Sequence, residues 1–139
     1  MKPQTRLRFE IGGFLADGVQ IRLTRGHLVY RKTIGPVPCE PAQVTQPSEE
    51  QWRQFWQEVD RIGVWTWEAE YWNHDVLDGI QWSLSLCHAG RKMKSEGSNA
   101  YPGGSDSVEC PDDGPFADLR RALAALAGQP TGILSGEPQ

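Results

Sequence analysis

The sequence predicts an α+β fold: a two-layer sandwich in which one antiparallel sheet of about six strands carries two helices on one face, built from a duplicated βββα unit. Three observations carry that prediction. The pattern D-G-(V/I)-Q-x-x-L occurs twice, as Asp17-Gly18-Val19-Gln20-Ile21-Arg22-Leu23 and as Asp78-Gly79-Ile80-Gln81-Trp82-Ser83-Leu84, 61 residues apart. Each copy stands among runs of period two, the mark of strands with one apolar side. Each is followed by an apolar stripe of helical period, so each half brings a helix that must cover something.

The elements follow in chain order. Leu7, Phe9 and Ile11 alternate with polar residues and predict a first strand. Val19, Ile21 and Leu23 alternate with Gln20, Arg22 and Thr24, then Leu28, Tyr30 and Ile34 continue past Arg25-Gly26, which reads as a hairpin. The loop Gly35 to Pro41 is stiffened by prolines. Ser48 can cap a helix whose third residue, Gln51, completes a capping box, and Trp52, Phe55, Trp56 and Val59 form its apolar stripe up to a stop at Gly63.

In the second copy, Trp65, Trp67, Ala69 and Tyr71 read as the third strand of the unit. Ile80, Trp82, Leu84 and Leu86 alternate with Gln81, Ser83, Ser85 and Cys87 before Ala89-Gly90, with Met93 returning on the next strand. A second helix is expected from near Asp113, with Phe116, Leu119, Leu123 and Leu126 at helical spacing and Gly128 as its stop. The domain then spans 1–127, with repeat halves of about 5–63 and 64–127 and a flexible Gly- and Pro-rich tail over 128–139.

Composition narrows the setting. The first thirty-two residues hold seven Lys/Arg against two acids, while residues 33–90 hold two against nine, so a net charge of -4 hides opposed local faces. Eighteen consecutive apolar residues occur nowhere, and the amino-terminal stretch lacks an apolar run of signal-peptide length, which points away from a membrane. Cys39, Cys87 and Cys110 form an odd set without a CxxC pair, read as free thiols in a reducing, cytoplasmic compartment. No nucleotide-binding, zincin or nucleophile-elbow motif is present, so neither cofactor nor metal is expected and an enzyme is disfavoured.

Four regions could carry function. By alternation the uncovered sheet face holds Arg6, Arg8, Arg22, Arg31, Lys92 and Lys94, with Glu10 and Glu96 as its acids and Gln20, Ser83 and Ser85 between them. Such a face suits an anion or nucleic-acid backbone, but it offers no exposed aromatic for base stacking, and nucleic acid is disfavoured for that reason. The segment from Trp65 to Asp75 packs four large aromatics into eight residues; alternation buries Trp65, Trp67 and Tyr71 and leaves Trp72 outside as a contact, close to His74. The long loop from Ser95 to Gly104 carries Ser98, Asn99 and Tyr101, which could bind a ligand or form ordinary turns. Finally, His27, His74, His88 and the cysteines lack metal-ligand spacing, and Cys87-His88 points to opposite sides of a strand.

Residues 78–102, DGIQWSLSLCHAGRKMKSEGSNAYP, resemble a pattern in small bacterial proteins without an assigned activity, in which an Asp-Gly turn and a W-x-L-x-L strand lead to a G-S-N-x-Y-P loop. The resemblance implies a bacterial, stand-alone domain and carries over no catalytic residue. The expected function is a non-enzymatic accessory or immunity-type module that binds another protein through Trp72, Tyr101 and the loop from Ser98 to Gly104. Its alternatives are a ligand-binding protein or small enzyme with a pocket near that loop, and anion binding on the basic face. The sequence leaves monomer and homodimer open.

Overall fold

The computed structural model describes residues 5–13, 16–35, 37–39, 41–73, 79–103 and 111–129. The fold is α+β. Among the described residues are eight strands and two α-helices: β1 (Arg6–Gly13), β2 (Ala16–Thr24), β3 (His27–Ile34), β4 (Val37–Pro38), β5 (Gln43–Thr45), α1 (Glu49–Ile62), β6 (Glu70–Trp72), β7 (Gln81–His88), β8 (Arg91–Ser98) and α2 (Pro115–Leu126). They form one open sheet in the order β4-β3-β2-β1-β7-β8-β6, with β5 also on β3. Every pairing is antiparallel except β6 with β8.

Register decides which side chains the sheet buries. Phe9 stands opposite Ile21 on one side and Leu84 on the other, Ile11 opposite Val19 and Trp82, and Leu7 opposite Leu86. All eight are buried and form a single cluster with Leu28, Tyr30 and the apolar stripes of the helices. Phe116 of α2 is the hub of the cluster, with ring centroids 6.3 Å from Phe9, 4.8 Å from Trp82 and 5.0 Å from Tyr101. Trp56 of α1 stacks on His88 at the end of β7, and Arg61 of α1 bridges Asp118 of α2 at 3.5 Å.

The helix ends form as the sequence predicts. The Ser48 hydroxyl accepts from the Gln51 backbone N–H at 3.1 Å, the Gln51 side chain accepts from the Ser48 N–H at 2.8 Å, and Gly63 ends α1 at φ 82°. Helix α2 starts at Pro115, two residues later than expected, because Pro fits the first helical position and supplies no N–H to be capped.

Three expectations need correction. Residues 65–71 are not one strand: Val64–Thr66 form a 3₁₀ turn, and only Glu70–Trp72 pair with the sheet. The cause is local, since the Trp65 indole N–H donates to Asp60 at 2.8 Å and draws the chain back onto the end of α1. The sheet has eight strands instead of about six, because the proline-bearing loop contributes β4 and β5 as short edge pieces, where a missing N–H is tolerated. The loop expected to begin at Ser95 begins instead at Asn99, since β8 runs through Ser98.

The two halves share less than the repeat suggests. Hairpins β2–β3 and β7–β8 close with matching turns, Arg25 and Ala89 both at φ 52° and Gly26 and Gly90 both at φ 81°. Yet β1 lies antiparallel beside β2, whereas β6 lies parallel beside β8. The spacing between the D-G pattern and the turn differs by an odd three residues, so the pair next to the turn also changes face: Leu23 opposite Leu28 belongs to the core side, Cys87 opposite Lys92 to the other. The tail from Pro130 onward lies outside the described residues.

Both D-G glycines occupy places where a side chain would collide. A Cβ on Gly18 would meet the Ile11 carbonyl oxygen at 2.2 Å, and one on Gly79, which is at φ +144°, would meet the Asn99 side chain at 2.1 Å. Asn99 is the reason for the second approach: its Oδ1 accepts from the Ile80 N–H and its own N–H donates to the Ile80 carbonyl, each at 2.9 Å, while its backbone holds φ 56°. Asn99→Gly should keep the backbone and lose only the side-chain bond, at about 1–3 kcal/mol, and Asn99→Ala should cost a further ~1 kcal/mol for the left-handed conformation. Chemical denaturation of the two variants checks this; equal losses would show that backbone strain contributes nothing here.

Candidate functional site

The face of the sheet opposite the buried cluster gathers the polar residues in rows, because hydrogen-bonded partners point the same way. One row runs Val29, Arg22, Arg8, Ser85, Lys94; the next runs Arg31, Gln20, Glu10, Ser83, Glu96, Glu70; a third runs Thr33, Gly18, Gly12, Gln81, Ser98, Trp72. Every basic residue that alternation assigned to this face among Arg8, Arg22, Arg31, Lys92 and Lys94 does lie on it. The face is not uniformly cationic, however. Glu70 joins the expected acids, and the Glu10 carboxylate lies 3.9 Å from Arg8 and 3.8 Å from Arg22, so much of the local positive charge is already answered.

A cavity of about 580 Å³ opens along the third row, lined by Glu10, Gly12, Gln81, Glu96, Ser98 and Trp72 among others. Its floor is low at Gly12, which has no side chain and lies directly against the backbone of Gly18. The local bulge between Ile11 and Gly13 brings the two backbones together, a Cβ on Gly12 meeting the Gly18 Cα at 3.2 Å. At the other end Trp72 forms a wall. The ladder that fixes it is parallel, with the Glu96 N–H donating to the Ala69 carbonyl and the Asn73 N–H to the Ser98 carbonyl, each at 3.0 Å.

Of the residues expected to bind, the cavity brings together Trp72 and Ser98 and excludes the other two that are described. Trp72 is 50% exposed, and Ser98, although buried as a residue, lines the same cavity. Asn99 and Tyr101 turn the other way into the core, at 0% and 1% exposure, where Asn99 holds Ile80 and Tyr101 packs on Phe116; neither is a surface contact. The reason is one of parity: Gly97 has no side chain, so the Trp82 indole can lie against it and donate to the Ala100 carbonyl at 3.0 Å, which turns residues 99–101 inward. His74, Gly104 and Cys110 lie outside the described residues. Gln81, Glu10 and Glu70 were not singled out as site residues by the sequence, although Gln81 and Glu10 follow from alternation once the sheet order is known.

A scan of known protein families and a search of curated proteins find no match to this chain. Its own geometry therefore has to carry the functional case. Among the described residues no helix is long and apolar enough to cross a membrane, and no group of three His, Cys, Asp or Glu side chains converges as a metal site would require.

A second cavity, about 670 Å³, lies between α1 and the two hairpin turns, with Trp52, Trp56, Asp60, His88 and Arg91 on its walls. His88 stacks face to face on Trp56, 4.1 Å between centroids and 2° between planes. Asp60 accepts from the Trp65 indole and, at 2.6 Å, from Arg91, whose guanidinium stands over the Trp65 ring at 4.7 Å. These bonds hold the Asp60 carboxyl below its ordinary range, the indole bond contributing most.

Burial, assisted by Arg91 and opposed by Asp60, lowers the pKa of His88. The folded protein thus binds this proton more weakly than the unfolded chain, so its stability is complete above the ordinary histidine range near ~6.5 and declines as pH drops through it. The melting temperature should fall between about pH 7.5 and about pH 5.5, and His88→Phe, which keeps a ring against Trp56, should reduce that fall. An unchanged slope in the variant would place the proton elsewhere. The opposed fates of the two expected aromatic contacts also separate: Tyr101→Ala should cost about 3–5 kcal/mol by the loss of a buried ring, and Trp72→Ala only about 1 kcal/mol, because half of its ring is already exposed.

Proposed function

We propose that this protein is a non-enzymatic binding module, an accessory or immunity-type domain, that engages another protein through the open sheet face at Trp72. One observation carries this. Of six tryptophans, five are buried or packed against the core, and the sixth stands half-exposed at the end of a cavity on the polar face. A large rigid ring half-exposed beside hydrogen-bonding groups is the residue type on which protein interfaces concentrate their binding energy.

The arrangement of charge supports a protein over a nucleic acid. A nucleic-acid strand would need cations and a stacking ring within reach of one nucleotide, but Lys94 lies four residues along β8 from Ser98, which stands beside Trp72, roughly 13 Å at ~3.3 Å per residue. Between them runs the row that contains Glu96 and Glu70. A small polar ligand is the second reading, favoured by a cavity within the range that such ligands occupy.

The same proposal includes the finer architecture on which the face depends. The two helices form a second layer over the side bearing Phe9 and Trp82, supported by the contacts of Phe116 and of Trp56 with His88, and no described helix lies over the side that bears Trp72. The paired hairpins with matching turns support descent from a duplicated unit whose first strand has since been placed differently.

A photo-reactive phenylalanine derivative at Gln81, which is exposed in the cavity, tests the function inside host cells. It should yield adducts with the mass of a polypeptide that vanish when Trp72→Ala is added while the chain stays folded. Adducts confined to small molecules would move the assignment to the ligand reading.

A further inference from the structure

We propose that the Trp72 end of the cavity receives an arginine side chain presented by an extended segment of the partner protein, an inference that rests on the protein-binding reading and names what it recognises. Glu70 and Glu96 are directly paired across β6 and β8 and point to the same face. Like charges placed opposite one another repel, and the sheet would be more stable without one of them. Glu10, two strands away, has Arg8 and Arg22 beside it; Glu70 and Glu96 form no ion pair among the described residues, although both are exposed. Two adjacent carboxylates thus stand at the surface without an ion pair to any described residue. Two residues from Glu70, on the same face of the same strand, stands the half-exposed ring of Trp72.

The pair of carboxylates and the indole together define the guest. A guanidinium is planar, so it can lie on an aromatic ring, and its fork of N–H donors can reach a carboxylate while it does so. An ammonium gains the charge but neither the stacking nor the two parallel bonds. The arginine stem and flanking backbone have a place to go, since Gly12 and Gly13 continue the cavity away from Trp72, and Gln81 and Ser98 line it with donors and acceptors for an extended chain. The cations of the face do not obstruct this: Arg8, Arg22 and Lys94 lie in the row on the far side of Glu10 and Glu96, Lys92 lies a row beyond them, and Arg31 stands at the other end of the Glu96 row, on β3.

The probe is a nine-residue Gly/Ser peptide with one central arginine, titrated into the whole chain and read by the indole N–H resonance of Trp72 and the backbone amides of Gln81 and Ser98. Matched peptides carry citrulline or lysine, and free arginine amide is titrated separately. The arginine peptide should shift these resonances with a dissociation constant at least about tenfold below that of the citrulline peptide and below that of the lysine peptide. Glu96→Gln and Trp72→Ala should each weaken it by about tenfold, while the remaining amide resonances keep the dispersion of the folded chain. Equal binding of the citrulline peptide overturns the proposal, as does free arginine amide binding as tightly as the peptide, which would make the site one for a small molecule. If no peptide binds but polypeptide adducts at Gln81 still require Trp72, the arginine guest is wrong and the protein-binding reading stands; if those adducts are also missing, both fall.

Discussion

Everything on the open face depends on the register between β1 and β7, the pairing that joins the amino-terminal half of the chain to the carboxy-terminal half. Seven successive residues pair across it, from Arg6 with Cys87 to Gly12 with Gln81. A slip of one residue would turn Leu7, Phe9 and Ile11 toward water and Arg8 and Glu10 toward Phe116. Burial of Phe9 and Trp82 against Phe116 therefore sets the order of polar residues on the opposite side. The row containing Glu10, Ser83 and Glu96 is a by-product of packing that happens on the far side of the sheet.

A second constraint, the close approach at the end of β8, decides which part of the G-S-N-x-Y-P segment meets solvent. Gly97 admits the Trp82 indole, the indole bonds the Ala100 carbonyl, and Asn99 clasps Ile80 across Gly79. Each contact requires the next. A side chain at Gly97 would push the indole off the carbonyl, and a side chain at Gly79 would push Asn99 away from the Ile80 N–H. Tyr101 is carried into the core by this sequence of contacts, while Ser98, between Gly97 and Asn99, faces the other side beside Trp72. The segment that most resembles a binding loop in composition is in this respect a structural clasp.

Much of this was legible in the sequence where the signal was local. Period-two alternation separated Arg8, Arg22 and Lys94 from Phe9, Ile21 and Leu84, and Ser48 with Gln51 marked the start of α1, because side-chain direction along a strand and a capping box are both set within a few residues. Alternation also placed Trp72 outside while its neighbours turned in. What could not be read was long-range. The parallel seating of β6 on β8 depends on bonds from Ala69 and Asn73 to residues more than twenty positions away. Tyr101 carries the polar tip that makes tyrosine common at surfaces, and nothing within its own segment reveals that Phe116 is waiting for its ring. The acid row looked sparse because Glu70 belongs to a strand whose pairing partner the pattern did not identify.

The two edges of the sheet show why the carboxylates beside Trp72 need more than one explanation. An exposed edge invites pairing with other chains, and proteins commonly blunt it with short strands, proline or charge. At the β4–β5 edge two- and three-residue strands and Pro38 serve that purpose while Ile34, Val37 and Val44 remain exposed. At the β6 edge the strand is equally short, and a single charge would suffice to discourage another strand. Edge protection thus accounts for Glu70. It does not account for Glu96, which lies on β8, one strand in from the edge, where its backbone is already paired on both sides. Nor does it account for a half-exposed tryptophan on the edge strand itself, since an aromatic ring there favours the association that the charge opposes. Edge protection accounts for neither the Glu96 carboxylate nor the exposed half of the Trp72 ring, and a guest that needs both a negative charge and a flat ring is what they have in common.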